Sequence, residues 1–330
     1  MFKVLIITFT GIALGYLLRQ IKALQWLPKS ISWTIYLLLF FFGLQVGANE
    51  QVVGNLDTLG MKALLIAVAG SVGSSVAAWG LFRWVFKGGD FPDSIQENAA
   101  AGNTNLSGRK NTLSDKMRSI LQYAAGFITA GFFAVGCLCG VAGIVPQQIC
   151  GGEVSMYVLY ALMVQVGMSI GCDRRLKEML TSLSTKLFLL PAGTIVGTLV
   201  AVAVLGMVIN GLNFTDCMAV GAGFGYYSLS SVLITQIKEP LVGADLAAQI
   251  GTIALMANII REIITLLFAP AIGKVFGRLA PISVGGATSM DSTLPVITVA
   301  CGKEMAFVSI FHGVLVDFSV PFLVTFFASL

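Results

Sequence analysis

GAGFGYYSLSSVLI at residues 221–234 and GGATSMDSTLPVIT at residues 285–298 are two related stretches in the last third of the chain. Both are small and hydroxylic in the middle and apolar at the ends, and a long apolar segment follows each one. At an offset of 64 residues the aligned pairs are Gly221 with Gly285, Ser228 with Ser292, and Val232 with Val296. An interrupted backbone at membrane depth is costly unless it lines a protein or water cavity. The pair therefore predicts two re-entrant hairpins or two broken helices.

The composition indicates that the rest of the chain lies in a membrane. Of 330 residues, 56% are hydrophobic and 11% are charged, whereas soluble domains carry about 25% charged residues. A spanning helix needs roughly 20 mostly apolar residues. We predict an all-α polytopic membrane protein with about eight spans, together with the two interrupted segments at 214–235 and 283–301. The spans are predicted at 2–18, 31–48, 62–86, 119–145, 154–172, 187–209, 243–270 and 303–328.

The orientation follows from the basic residues, because Lys and Arg accumulate in cytoplasmic loops. The loops after the first, third and fifth spans carry thirteen of them, and the intervening loops with the N-terminus carry only Lys3 and Lys62. The N-terminus is therefore predicted outside, and the Gly-, Asn- and Ser-rich loop 87–118 is predicted to be flexible and cytoplasmic. Hairpins would place most later basic residues inside and both termini outside. Ten spans is the alternative.

An internal repeat divides the first two thirds of the chain. Tyr36, Gly43 and Gly47 recur with the same spacing as Tyr160, Gly167 and Gly171. Three spans per copy would invert the second copy relative to the first, as is typical of secondary transporters. We predict a scaffold region at 1–212, built from repeats 1–86 and 119–209, and a substrate-binding region at 213–330.

Ionisable residues inside membrane spans are rare and are functional candidates by default. Glu262 lies deep in the seventh span and Asp291 lies in the second interrupted segment, and Arg261 is a candidate charge partner for them. Asp317 and His312 in the last span are further candidates, although His312 can equally hydrogen-bond within the bundle. The predicted substrate- and proton-binding set is Glu262, Asp291, Asn258, Tyr227, Ser228, Ser230, Ser289, Ser292 and Thr293.

Metal, cofactor and nucleic-acid functions have little support in the sequence. The six cysteines have no metal-ligand spacing, and a single histidine could join them. We expect no metal, no cofactor and no enzymatic activity. The net charge of +4 is explained by the loop residues, so no nucleic-acid partner is expected. The bilayer is the expected surrounding, and a homodimer is one candidate assembly.

Five motifs carry a resemblance to a known family. They are FGYYSLS at 224–230, Arg261-Glu262, GATSMD at 286–291, TLPV at 293–296, and His312-Gly313. With them the chain resembles the LysO-type lysine exporters of bacterial inner membranes. One departure concerns Ala257 and Asn258, where the family pattern has Asn-Asp.

The resemblance implies export of L-lysine, and of close analogues such as thialysine, in exchange for protons. It also implies that Glu262 and Asp291 are the functional membrane carboxylates. Carboxylates can bind the ammonium groups of lysine, and N–H donors of the interrupted backbone can bind its α-carboxylate. A carboxylate that binds either a proton or an ammonium group makes the two compete, which is the minimal mechanism of antiport.

Two other functions remain open from the residues. A sodium-coupled amino-acid or carboxylate symporter could use the same architecture, with carbonyl and hydroxyl oxygens around the ion. A more remote alternative is an intramembrane serine protease that pairs Ser228, Ser230 or Ser231 with His312.

The predicted topology can be tested by thiol labelling in a background without the native cysteines. A cysteine introduced between residues 95 and 110 should react only with a reagent on the cytoplasmic side, because basic loops resist translocation. Cysteines at both termini should react from outside. Outside labelling of the 95–110 position would reverse the orientation.

Overall fold

The computed structural model describes residues 2–19, 26–85, 128, 131–146, 153–172 and 185–330. Within these ranges every regular element is an α-helix or a short 3-10 helix. A helix pairs its backbone groups internally, as an apolar surrounding requires. The prediction of an all-α polytopic membrane protein is confirmed.

Twelve helices are numbered here in chain order. They are α1 (Phe2–Leu18), α2 (Leu27–Gly47), α3 (Leu56–Trp84), α4 (Gly131–Val141), α5 (Glu153–Gly171), α6 (Leu189–Gly206), α7 (Phe214–Gly221), α8 (Tyr227–Val242), α9 (Ala244–Phe276), α10 (Ala280–Gly285), α11 (Leu294–Cys301) and α12 (Met305–Ala328). A five-residue helix, Glu50–Gly54, precedes α3, and a 3-10 helix, Gly286–Met290, follows α10.

Helix length and hydropathy agree with the predicted eight spans. Six described helices are long and apolar enough to cross a membrane, and two shorter apolar helices, Ile6–Leu18 and Gly131–Val141, correspond to the first and fourth spans. Part of the predicted 119–145 span, and all of the 87–118 loop, lie outside the described residues.

The described residues form two compact units. The first, called the hairpin unit, contains 2–9, 49–85 and 185–330. The second, called the glycine unit, contains 10–19, 26–48, 131–146 and 153–172.

The glycine unit is built on two crossings in which helix backbones touch. In one, Gly11 and Gly15 of α1 face α5; in the other, Gly43 and Gly47 of α2 face α4. A Cβ built on any of these four glycines would lie within 2.7 Å of a backbone oxygen, so a larger residue would separate the helices. Each repeat thus packs its first helix on the second helix of the other repeat, which agrees with the predicted internal symmetry.

In the hairpin unit, the directions of the other helices are described relative to α3. α6 runs antiparallel to it, since Gly197 contacts Gly73 while Gly193 contacts Leu81. We name the two ends of this unit the Lys62 end and the Phe82 end, after residues near the start and the finish of α3.

The first interrupted segment is a re-entrant hairpin, called hairpin 1, that enters and leaves at the Lys62 end. Lys62 Nζ donates to Gly211 O at 3.0 Å, just before α7 begins. α8 returns beside α7, because Lys238 Nζ and Asp216 Oδ1 form an ion pair at 2.8 Å. Both side chains of this pair are buried, at 5% and 4% exposure.

The second interrupted segment is a re-entrant hairpin from the opposite end, called hairpin 2. α9 crosses to the Phe82 end, where Gly277 packs on the Phe82 ring. Gly273 lies against both Pro281 at the start of the hairpin and Cys301 at its finish. The segment therefore returns to the end it entered, which favours eight spans with two hairpins over ten spans.

The two hairpin tips, 222–226 and 286–293, meet between the ends of the unit. Ala287 N donates to Phe224 O at 2.9 Å. A Cβ built on Gly225 would lie 3.2 Å from Gly285 O. The two stretches that the sequence marked as related are therefore in contact with each other.

The compact units do not follow the predicted boundary at residue 212. The third helix of each repeat, α3 and α6, packs in the hairpin unit. The physical reason is that these two helices supply the surface on which the hairpins and α9 pack. A division into scaffold and substrate-binding regions stays a prediction.

The buried ion pair of hairpin 1 gives a stability test. Asp216→Asn or Lys238→Met alone should each destabilise the protein by about 3–5 kcal/mol, because an uncompensated charge stays buried. The double variant should lose less than either single variant, measured as thermal unfolding of the purified protein in detergent. A double variant as unstable as the sum of the singles would contradict the pairing.

Candidate functional site

Both hairpins break at the paired glycines found in the sequence: α7 ends at Gly221 and α10 ends at Gly285. The chain then turns through positive-φ residues, with Phe224 at 45° and Gly286 at 59°. A Cβ built on Gly286 would lie 2.2 Å from Phe224 O. Glycine is therefore required here both for the backbone angle and for the contact between the tips.

Asn258 of α9 pairs the polar backbone groups that hairpin 1 leaves free. Its Oδ1 accepts from Gly225 N at 2.8 Å, and its Nδ2 donates to Val220 O and Ser230 Oγ, both at 3.3 Å. Gly223 packs directly against the amide. Asn258 is 3% exposed and acts as the internal partner of this tip.

His312 of α12 has the matching position at hairpin 2. Its Nδ1 lies 3.0 Å from Ser289 Oγ and its Nε2 lies 2.9 Å from Thr194 Oγ1. The single Ser289 hydroxyl hydrogen has Gly286 O at 2.7 Å as an acceptor. When it is used there, Nδ1 donates to Ser289, while the Thr194 hydroxyl at Nε2 also contacts Ser283 Oγ at 2.8 Å. His312 therefore hydrogen-bonds within the bundle.

Arg261 binds the carbonyl end of α10. Its Nε donates to Val284 O at 2.9 Å, and its Nη2 donates to Ser283 O at 3.1 Å and to Thr198 Oγ1 at 3.2 Å. A cation at a helix C-terminus is favourable, because free carbonyls and the helix dipole are negative there. Among the described residues Arg261 forms no ion pair with Glu262 or Asp291, so it does not have the position expected of their charge partner.

The two carboxylates singled out in the sequence meet at one serine. Ser292 Oγ donates to Glu262 Oε1 and lies 3.4 Å from Asp291 Oδ1. The Ser292 N–H also donates to Asp291 Oδ1, at 2.6 Å. Glu262 is 2% exposed, and its second oxygen has no hydrogen-bond partner among the described residues. A buried carboxylate oxygen without a partner indicates a position for a proton or a cationic ligand.

Two tyrosines and a third acid interact electrostatically with this pair. Tyr227, at the start of α8, lies within electrostatic range of both Glu262 and Asp291. Tyr226 lies within range of Asp291 and of Asp317 on α12. The site and its surroundings are therefore rich in acids, and no described Lys or Arg forms an ion pair with Glu262, Asp291 or Asp317.

The remaining predicted site residues have different positions. Ser230, Ser289 and Thr293 are buried and hydrogen-bond within the tips. Ser228 is exposed and lies away from these networks. None of Ser228, Ser230 or Ser231 is a hydrogen-bond partner of His312 in the described part of the chain, so the protease pairs considered from the sequence are not formed.

Sequence reasoning missed the hydroxyl groups that support the tips from α6 and from α12. Thr194 contacts His312, and Thr198 accepts from Arg261. Ser309 Oγ donates to Ser289 O at 2.6 Å. The sequence did contain a sign of this role. Thr194 and Thr198 are the only side chains with polar atoms in α6, and they lie one turn apart on the same face.

Fold and site together define a class: a multi-pass membrane transport protein in which two opposed hairpins meet beside buried carboxylates. The chain belongs to the lysine exporter LysO family, whose model matches residues 5–108 and 130–328. It is 27% identical over 338 aligned residues to the lysine exporter LysO of Escherichia coli, with 100% of both chains covered. The family resemblance drawn from the motifs is confirmed.

A second relative matches part of the chain. A Haemophilus influenzae protein, provisionally named a lysine exporter, is 30% identical over 178 residues, which covers 53% of this chain and 84% of that protein. No solved structure matches the chain.

The two interpretations of Arg261, carbonyl cap or partner of Glu262, differ in a double-mutant cycle. Because the guanidinium of Arg261 binds Ser283 O, Val284 O and Thr198 Oγ1, Arg261→Met should lower the free energy of unfolding by the same amount, within about 1 kcal/mol, in the wild type and in the Glu262→Gln background. Thermal unfolding of the four purified proteins measures this. A loss that is smaller by about 3 kcal/mol or more in the Glu262→Gln background would instead indicate a direct ion pair.

Proposed function

We propose that the chain exports L-lysine, and close analogues such as thialysine, across the bacterial inner membrane in exchange for protons. Its Lys62 end, with both termini, faces outward in this proposal, as the loop charges suggest. The single observation that carries the proposal is the Glu262–Ser292–Asp291 group, in which Glu262 is buried and, among the described residues, has one carboxylate oxygen without a hydrogen-bond partner, while no described Lys or Arg forms an ion pair with either acid.

The charge of this group matches a lysine molecule. Lysine carries two ammonium groups and one carboxylate at neutral pH, and Glu262 with Asp291 offers one acidic partner to each ammonium. Because Arg261 is already bound to Ser283 O, Val284 O and Thr198, it does not neutralise the acids. A buried site short of positive charge favours a cationic ligand.

The hairpin tips offer partners for the lysine α-carboxylate. α8 begins at Tyr227 and α11 begins at Leu294. The N–H groups of Tyr227 and Leu294 already donate to Gly225 O and Asp291 O, and Pro295 has no N–H, so the first turn of α8, at Ser228 and Leu229, is the main source of donors at the tips. The N–H groups of a first turn have no intrahelical acceptor, and the helix dipole favours an anion at this end. Opposed hairpins thereby support recognition of an amino acid rather than of a simple cation.

Exchange for protons follows from the same acids. Moving one net positive charge out against an inside-negative potential costs about 2.3 kcal/mol per 100 mV, and an entering proton offsets that charge movement. A carboxylate that holds either a proton or an ammonium group releases one as it takes the other.

Sodium coupling is less well supported, because three carbonyl oxygens at the ends of α7 and α10, next to the tips, already have donors. Val220 O accepts from Asn258, and Ser283 O and Val284 O accept from Arg261. A sodium site would need several such oxygens free.

We infer transport rather than catalysis for the same chain. The one nucleophilic group described between the two acids is the Ser292 hydroxyl, and it is already in contact with both carboxylates.

Lysine efflux from proteoliposomes under an imposed pH gradient tests the proposal. Glu262→Gln and Asp291→Asn should each lower efflux by about 100-fold or more, because removing a group that moves a proton typically costs that much. Cells that lack other lysine exporters and express the wild-type chain should also survive thialysine, and cells with either variant should not.

Asp245→Asn is the matched control, since Asp245 is an exposed acid at the start of the same helix as Glu262. Its efflux should equal that of the wild type. Wild-type efflux that ignores the pH gradient but follows a sodium gradient would replace protons by sodium, and equal protection by a properly inserted Glu262→Gln variant would refute the site.

A further inference from the structure

Asp317 is an acid in the middle of α12 that the proposed site does not yet use. In the part of the chain that the structure describes, its carboxylate has no hydrogen bond and no ion pair, and its side chain is neither fully buried nor fully exposed. An acid at such a position in a spanning helix is unfavourable unless it binds a proton or a cation during function.

The position of Asp317 between the two ends of the hairpin unit follows from the contacts of its neighbours on α12. α12 starts at the Phe82 end, where Arg278 and Glu304 form an ion pair at 3.2 Å. His312 and Gly313 then contact Ser289 and Met290 at the tip of hairpin 2. Asp317 is one helical turn farther on, about 6 Å closer to the Lys62 end.

Both hairpins bring a titratable group toward Asp317. Gly313 contacts Met290, and Asp317 lies one turn farther along the same face of α12, beside the tip of hairpin 2 that carries Asp291. Tyr226 of hairpin 1 also interacts electrostatically with Asp317. The other charged groups on the described elements packed against α12 lie elsewhere: Asp216 and Lys238 pair with each other, Glu239 is exposed near the Lys62 end of α8, and Lys186 lies at the Phe82 end. No described Lys or Arg forms an ion pair with Asp317.

We propose that Asp317 is a third carboxylate of the transport site, which takes up the proton at the Lys62 end and passes it to Asp291. This inference rests on the proposed exchange of lysine for protons. The proton comes from water at that end, protonates the Asp317 carboxylate, and then moves to the Asp291 carboxylate, which gives up its lysine ammonium group. Asp317 is left ionised and ready for the next proton.

In this proposal the three acids have different functions. Glu262 and Asp291 each bind one ammonium group of lysine. Glu262 is the more deeply buried of the two acids, and its Oε2 has no hydrogen-bond partner among the described residues. Asp317 is left without an ammonium group of its own. Lysine binding therefore needs two of the acids, whereas coupling to protons needs all three.

Two assays on full-length protein in proteoliposomes separate binding from coupling. Lysine–lysine counterflow at equal pH needs no net proton movement, and net lysine efflux under a pH gradient does. Asp317→Asn should keep counterflow within about twofold of the wild type. The same variant should reduce the rate of net lysine efflux by about tenfold or more, because the group that donates the proton to Asp291 is absent. Asp245→Asn should behave as the wild type in both assays.

Asp317→Asn with wild-type net efflux would overturn the proposal. Loss of counterflow and efflux together would also overturn it, because Asp317 would then serve binding or folding. If Asp317→Asn does not reach the membrane, Asp317→Glu should shift the pH profile of net efflux while counterflow stays unchanged; an unchanged profile refutes the relay. Failure of the proposed function is seen separately, as a wild-type protein without lysine counterflow.

Discussion

The hairpin unit depends on one constraint: every backbone N–H and C=O freed at the two tips must find a partner away from bulk water. Side chains meet part of this requirement. Asn258 pairs Gly225 N and Val220 O at hairpin 1, and Arg261 pairs Ser283 O and Val284 O at the end of α10. His312 supports hairpin 2 through the Ser289 hydroxyl, which itself donates to Gly286 O.

This constraint also explains why the acids are left unpaired. Arg261 is next to Glu262 in sequence and is buried beside it, and an ion pair would be the simplest way to keep both charges in an apolar surrounding. The free carbonyls of Ser283 and Val284 take the guanidinium instead. The site is therefore negative because Arg261 is used to stabilise the broken backbone at the end of α10. In the proposed function, the ammonium groups of lysine supply the positive charge that the site lacks.

Sequence reasoning found the parts that leave a local signal. The breaks at Gly221 and Gly285 and the two acids could be predicted because interruptions and charges are conspicuous in apolar sequence. The direction of Arg261 could not be, since neighbours on a helix point about 100° apart and only the packing shows what each one meets. The exposure of Ser228 has the same origin: its matched partner Ser292 binds both acids, but the two half-helices start at different offsets from their paired glycines.

The two ion pairs that join the hairpin ends differ in their contact with water. The Asp216–Lys238 side chains are 4% and 5% exposed, whereas those of Glu304 and Arg278 are 20% and 24% exposed. Dissolved ions screen accessible charges over roughly 8–10 Å at physiological ionic strength and screen buried ones much less. A rise in ionic strength should therefore weaken the Arg278–Glu304 pair at the Phe82 end, while the Asp216–Lys238 pair keeps the arms of hairpin 1 together.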